Sequence, residues 1–356
     1  MNTVEQPLVS ILTPVYNGAD YLAECIESVL QQTYQNYEYI IVNNCSTDGT
    51  LQIALDYALK DKRIRVLNNE KFVGVIANHN IAFRSISAEA KYCKVVSGDD
   101  FIFPDCVIRM VALAEANPSV GLVGVYQLSG EGVKWQGLRY PQAVIQGREM
   151  CRRIFLEDDK TFGFGSPTSL LYRADLVRKN SEFYPNPSPH SDSSACFQCL
   201  TESDYGFVYE VLAFERIHEA TQSHASAKID RFVSANFNDV ICYGPLFLSK
   251  EEQTGKLAEM LGKYHRLLVW NLLVGSREKE FWDYHTGRLA ELGYPFKRIQ
   301  LVKAGLRTFW EEARNPGLMI AKLRARLVSK RQMKAAKAKH RSAAASQNSA
   351  ALPANK

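Results

Sequence analysis

The sequence predicts an α/β fold, a mostly parallel sheet flanked by helices, followed by a helical C-terminal region. Three observations carry this. Short apolar, β-branched runs alternate with amphipathic helical segments through the first 125 residues, the pattern of a parallel sheet covered on both faces. Four of those runs end in polar residues, at 13–17, 43–46, 68–70 and 97–100, the edge where open α/β sheets bind ligands. Beyond about residue 230 the apolar spacing becomes helical.

The elements follow in order. Residues 9–15 (VSILTPV) form an apolar run closed by Pro14 and Asn17 and read as the first strand. Residues 21–32 carry apolar side chains at 22, 25, 26, 29 and 30, one face of a helix. Residues 37–42 read as a second strand, ending in the turn Asn-Cys-Ser-Thr-Asp-Gly. Ser46 or Thr47 is placed to cap the next helix, 51–59, with Asp48 in its first turn. A strand at 64–67, a helix at 75–85 and a strand at 92–96 follow; Pro104 opens a helix to about Ala116, and 120–125 is a further strand. From 126 to 225, Gly, Pro and aromatic residues are frequent, and 206–214 reads as a strand. Helices are expected at 232–248, 251–274, 279–292 and 296–312. The expected divisions are 1–228, 229–316 and a basic segment with a disordered tail at 317–356.

Composition narrows the class. The chain is 46% hydrophobic and 23% charged, ordinary globular usage. No stretch approaches the length of a membrane-spanning helix, and the N-terminus lacks a signal-peptide pattern. Eight scattered cysteines without such a signal suggest reduced thiols in the cytosol. Cys196-x-x-Cys199 has no second pair with zinc spacing and reads as buried thiols. The net charge of +5 divides unevenly. Residues 321–356 hold ten Lys or Arg and no acid, leaving 33 basic and 38 acidic residues in 1–320, a net of −5. Ile320, Leu323 and Leu327 share a face amid these cations, a pattern suited to an anionic membrane surface or to a solvated helix. Without aromatic interleaving, nucleic acid is not an expected partner.

The most informative residues are Asp99 and Asp100, at the end of the buried-strand pattern YCKVVSG. Adjacent carboxylates repel unless a cation or hydrogen-bond donors offset them. Hard oxygen ligands suit Mg²⁺ or Mn²⁺, although one aspartate capping the next helix explains the pair equally simply. The opening VSILTPVYNGADYLAECIESVLQQTYQNYEYIIVNNCSTDGT and the later SGDD together resemble the family 2 inverting glycosyltransferases with the GT-A fold, over about residues 7–220.

That resemblance implies roles. Thr13, Pro14, Tyr16 and Asn17 would line the base and ribose of a nucleotide-sugar donor, with Tyr16 stacking on the base. Asn44 stands where the family usually has an aspartate that accepts the uracil N3–H. An amide oxygen still accepts, though its nitrogen could read another base. Ser97 stands where an Asp-x-Asp triplet would begin. Asp100 is then the implied metal ligand, and Asp99 contacts ribose or a metal-bound water. Asp192 occupies the place of the general base, before a helix expected at 195–200; alternatively it caps that helix. His218 would approach a divalent Mn or Mg, or be structural, while Arg216 could clamp phosphate. Gly165-Ser166-Pro167-Thr168 lies where the family shapes the donor-sugar and acceptor pocket, or is a tight turn entering a strand. Glu202 and Asp204 compete with Asp192, whereas 157–159 reads as a solvated loop and His224 is a weaker ligand.

The activity so implied is transfer of a sugar, UDP-linked by preference, to a glycan or lipid-linked glycan hydroxyl. The expected place is the cytoplasm or the inner face of the membrane. A non-catalytic sugar-nucleotide-binding or scaffold protein on the same fold is the alternative, motivated by Asn43, Asn44, Ser97 and Ser191 at usually acidic positions. A sugar nucleotidyltransferase would need a Gly-rich opening loop that 7–19 lacks.

Overall fold

The fold is described from a computed structural model covering residues 6–157, 161–185, 190–218, 221, 226–273 and 279–295. The alternating half comprises β1 (Val9–Val15), α1 (Leu22–Leu30), β2 (Tyr37–Asn43), α2 (Thr50–Lys60), β3 (Ile64–Asn68), α3 (Val75–Arg84), β4 (Tyr92–Val95), β5 (Phe101–Ile102), α4 (Cys106–Ala116) and β6 (Val120–Ser129). Then come β7 (Gly132–Lys134), β8 (Val144–Ile145), α5 (Gly147–Leu156), a 3₁₀ turn (Pro167–Ser169), β9 (Leu170–Arg173), α6 (Ala174–Arg178), α7 (Ser191–Cys199) and β10 (Asp204–Glu215). Three helices follow: α8 (Arg231–Phe247), α9 (Lys250–Leu273) and α10 (Lys279–Glu291).

The sheet runs β3-β2-β1-β4-β9-β6-β10-β5, with β7 on β6 and β8 on β10. Strands β1 to β4 pair in parallel, as do β6 and β10. Strand β9 lies antiparallel between β4 and β6 and joins the two parallel blocks. The sequence predicts none of β5, β7 and β8, and reaches β9 only as the strand that a tight turn at 165–168 would enter. Strands of two or three residues carry no period, and β9 starts directly from the 3₁₀ turn.

Alternation along each strand loads both faces. Leu12, Ile40, Val42 and Leu122 pack toward α3, α5, α7 and α8; Ile11, Tyr39, Ile41 and Val123 pack toward α1, α2 and α4. This is why β1 and β2 read as unbroken apolar runs. On the first face Phe83 meets Tyr172, Phe183 and Tyr184 edge-on at 4.7–6.4 Å. Such a ring contributes about 3–5 kcal/mol against alanine. The C-terminal helices add a smaller core of Phe237, Tyr264, Leu268, Phe281 and Leu289. At its centre buried His285 bridges Tyr264 Oη (2.7 Å) and the Ile229 carbonyl (2.8 Å).

Two expected caps differ. Gly49, not Ser46 or Thr47, precedes α2, and Asp48 accepts the Thr50 amide instead. Helix α7 begins at Ser191, so Asp192 lies inside its first turn and His190 holds the cap position. The eight cysteines are free thiols. Among the described residues no helix is long and apolar enough to cross a membrane. The expected helix at 296–312, the amphipathic segment around Ile320, Leu323 and Leu327, the basic tail, His224, Asp158 and Asp159 lie outside the described residues.

Candidate active site

The chain leaves β1 toward β2 and β3 on one side and returns to β4 on the other. The strand order therefore reverses between β1 and β4, which opens a crevice at their carboxyl ends. The loop after β1 is held to the loop after β2. The Asn17 amide donates to Ser46 Oγ (2.9 Å), Thr47 N to Asn17 Oδ1 (2.8 Å), Gly18 N to Thr50 Oγ1 (2.8 Å) and Ala19 N to Asp48 Oδ2 (3.1 Å). Asn17 adopts φ 48°, a left-handed conformation that Asn tolerates. The Ser-Thr-Asp-Gly-Thr segment thus shapes the crevice rim, and Asn17 belongs to that staple.

Thr13 and Pro14, expected at a nucleotide, turn inward. Thr13 Oγ1 donates to the Val96 carbonyl (2.8 Å) and lies 2.9 Å from Tyr39 Oη. Only residues past the strand end are free of the sheet, and Tyr16 is the first, 47% exposed. Its ring meets Phe72 edge-on at 4.8 Å, and Phe72 is itself 59% exposed. No sequence motif marks Phe72; a lone aromatic in the polar loop after β3 is its one signal.

Asn44 corrects a second expectation. It is buried, Oδ1 accepts from Val73 N (3.0 Å) and Asn69 Nδ2 (3.1 Å), and Nδ2 donates to the Val73 carbonyl (2.8 Å). The amide pairs with the backbone as a neighbouring strand would, so its oxygen is already taken. Beside it, buried Asn43 donates to Asn68 Oδ1 (2.7 Å) and leaves its own oxygen unpartnered.

The acid pair comes next. A Cβ on Gly98 would lie 2.8 Å from Val15 Cγ2. Only glycine lets the chain pass this close to the end of β1. Asp99 emerges beside it, with Oδ2 3.1 Å from His218 Nε2. His218 was expected beside Asp100, but Asp100 turns inward. Its Oδ1 accepts the Arg216 amide (2.9 Å) and its Oδ2 the Thr168 hydroxyl (2.5 Å). Burial, then the charge of Asp99, pushes the Asp100 carboxyl up to about 7, against those two hydrogen bonds. Arg216 is braced by the Asp99 carbonyl and by Glu24, with its guanidinium over Tyr21 at 4.7 Å, so it is not a free phosphate clamp.

Below them lies Lys94, fully buried in β4, a charge the sequence reading passed over inside an apolar run. Its Nζ donates to the Thr168 carbonyl (2.7 Å) and lies 3.3 Å from that of Leu170. Burial lowers its pKa, with Cys106 and Asp100 opposing. Lys94 thereby fixes the 3₁₀ turn whose Thr168 hydroxyl meets Asp100. Gly165, at φ +79°, starts that turn, and Ser166 donates to Gln127 Oε1 through N (3.0 Å) and Oγ (2.8 Å).

Asp192 accepts the Ser193 amide (2.8 Å). Burial pushes its carboxyl above the ordinary range; His190 and that amide oppose this, and Asp239 reinforces it. Two aromatic residues lie between the fields of Asp192 and the acid pair. The His79 ring stacks on Tyr184 at 5.4 Å. His79 feels the charge of Asp99, and Tyr184 that of Asp192. Glu202 and Asp204 do not join them. Glu202 pairs with Lys179, and Asp204 starts β10 beside Val120, at the opposite edge of the sheet.

Among the described residues no three His, Cys, Asp or Glu side chains form a cage for a metal ion. A carboxylate and an imidazole 3.1 Å apart nevertheless suit Mn²⁺ or Mg²⁺, which keep further positions for phosphate oxygens and water. The donor chemistry therefore fits a cation that arrives with a diphosphate.

Known proteins share this architecture. The family model described as glycosyl transferase family 2 matches residues 10–180. The putative teichuronic acid biosynthesis glycosyltransferase TuaG of Bacillus subtilis is 40% identical over 180 residues, 48% of this chain and 70% of that protein. Two further curated glycosyltransferases are matched over only 36% and 39% of their own lengths. Among solved structures, S. aureus TarS 1-349 in complex with UDP-GlcNAc superposes with a TM-score of 0.61 at 18% identity, covering 86% of this chain and 92% of that one. The mannosyltransferase PcManGT from Pyrobaculum calidifontis, in complex with GDP-Man and Mn²⁺, gives 0.51 at 15% identity, covering 87% and 89%. At these identities the two structures establish the shared fold.

Proposed function

The chain belongs to glycosyl transferase family 2, and on that premise we propose that it moves a sugar from a nucleoside diphosphate, UDP by preference, to a glycan hydroxyl with inversion at the anomeric carbon. The observation that carries this is the convergence of two features at the β1/β4 crevice. One is an exposed aromatic pair, Tyr16 and Phe72, suited to a nucleobase. The other is the Asp99–His218 donor pair, backed by buried Asp100. UDP-GlcNAc in TarS, GDP-Man and Mn²⁺ in PcManGT, and the surface-polymer name of TuaG support the donor class, the cation and a cell-surface glycan acceptor.

Asp99 and His218 would hold the divalent cation, with the Asp100 charge behind them. When bound, it supplies positive charge to the departing diphosphate. Tyr16 and Phe72 grip the base, and the stapled loops after β1 and β2 hold those rings in register. Asp192 takes the proton of the acceptor hydroxyl at its carboxylate as that oxygen attacks the anomeric carbon. A single in-line displacement inverts the centre. The basic segment at 321–356 suits an anionic membrane surface on the cytoplasmic side, where lipid-linked acceptors reside.

Melting with UDP, GDP, CDP, ADP and dTDP, each with and without Mn²⁺, tests this. Ligand bound to the native state raises the midpoint. A UDP shift that needs Mn²⁺ and disappears in Asp99→Ala is the expected result. No shift with any nucleotide would favour the non-catalytic scaffold reading.

A further inference from the structure

We propose that His190 is a positioning residue that holds a positive charge beside Asp192, and that Asp239, delivered by helix α8 of the C-terminal region, secures it there. This rests on Asp192 being the base. It adds that the base is set from outside the sheet domain, by a residue 47 positions further along the chain.

His190 occupies the cap position of α7, two residues before Asp192. Its Nδ1 lies 3.0 Å from Asp239 Oδ2, and its ring packs on Phe232 at 5.3 Å. Both partners belong to α8. Asp239 is only 4% exposed, and a carboxylate so placed is costly unless a cation meets it. Burial alone would discharge the imidazole. The hydrogen bond and charge of Asp239, with the field of Asp192, outweigh it and raise the His190 pKa. The effect is reciprocal, because His190 is the strongest influence holding the Asp192 carboxyl down against burial. The first turn of α7 adds its partial positive charge in the same sense.

Among the described residues, the titratable groups around these charges include Asp239, Cys242 and Tyr243 from α8, Tyr172 from β9, Tyr184 from the segment before α7, and Cys196 from α7 itself. The phenols and the thiols have raised pKa values and stay neutral. The ionic balance is therefore two acids sharing one imidazolium. A base in this setting remains ionised to lower pH than burial would otherwise allow.

The test uses the full chain with ¹³C-labelled histidine, followed by NMR from pH 5 to 9. Loss of one signal in His190→Asn assigns it. Asp239→Asn and Asp192→Asn should each lower the His190 midpoint by about one pH unit. An unchanged midpoint in Asp192→Asn would mean that the two do not interact, and would overturn the proposal. This measurement needs no substrate and also decides the matter if Asp239→Asn fails to fold. UDP release from UDP-GlcNAc gives a second readout. His190→Asn should move the acidic limb of the rate profile up by about the same unit, because the charge that holds the Asp192 carboxyl down is gone; a slower rate with an unmoved limb would mark a merely structural contact and overturn the proposal. Full turnover in Asp192→Ala would instead refute the assignment of the base, while leaving the His190 titration to report the coupling on its own.

Discussion

Replacing Asp100 with asparagine should stabilise the protein at neutral and alkaline pH, and the gain should vanish in acid. In the unfolded chain this carboxyl ionises near its ordinary value of 3.8; in the native protein it holds its proton to about 7. Between those values the native state binds more protons than the unfolded one, so stability falls as pH rises through that window and is level above it. A rise from 3.8 to about 7, at 1.36 kcal/mol per unit, is at most about 4 kcal/mol. Part of it reports the neighbouring Asp99. Asparagine keeps the shape, accepts the Arg216 amide and offers its NH₂ to the Thr168 hydroxyl, without the charge. Urea unfolding in EDTA, measured from pH 4 to 8.5, checks this. Wild type should lose up to about 4 kcal/mol relative to Asp100→Asn across the window, and Mn²⁺ with UDP should narrow the gap. Parallel profiles for the two proteins would refute the reasoning, because Asp100 would then ionise alike in both states. The destabilising acid is retained, on this account, for what it does in the site.

Tyr16→Ala and Phe72→Ala should each weaken UDP binding by about 1–3 kcal/mol in calorimetry, with unchanged melting of the free protein because both rings are exposed. Asn44→Asp restores the acid usual in the family, yet it should destabilise by about 1–3 kcal/mol in urea, since the Val73 carbonyl loses its donor and a charge is buried. His285→Phe should cost a similar 1–3 kcal/mol by orphaning the Ile229 carbonyl and the Tyr264 hydroxyl. Limited proteolysis should then cut α9 and α10 first while UDP binding persists.

The parallel half was legible because strands buried on both faces are continuous apolar runs, and observed ends differ from the reading by only a residue or two except at β6, which runs four residues past the expected end to Ser129. The place of the joining strand β9 in the sheet was not. Its four residues follow a glycine-rich turn, and its place is set by pairing with β4 and β6 rather than by any local period. Within the site, polar residues at strand ends look alike in sequence whether they meet a ligand or a neighbouring loop. Asn17, Asn44 and Asp48 proved to hold loops, and Thr13 faces the core by strand alternation. Resemblance singles out Asp99, His218 and Asp192 as candidates, and the pairing of His218 with Asp99 rather than Asp100 depends on which carboxylate the Gly98 approach turns inward. His190 and Asp239 left no signature, because their contact exists only once α8 packs against α7.

The antiparallel insertion also bears on how the chain is made. Strand β4 ends at Val95 and its outer partner β9 begins at Leu170, 75 positions later. At about 5–20 residues per second on the ribosome, β4 waits roughly 4–15 s as an open edge. Open edges recruit foreign strands, and an inward-pointing charge is one of the devices that blunts them. Lys94 sits in the middle of this edge. Buried in the finished molecule, it would on this argument discourage foreign pairing while β4 is still open. Lys94→Met should therefore give more aggregate than wild type during dilution refolding, as read by light scattering, and equal scattering would confine the lysine to its role in the folded state.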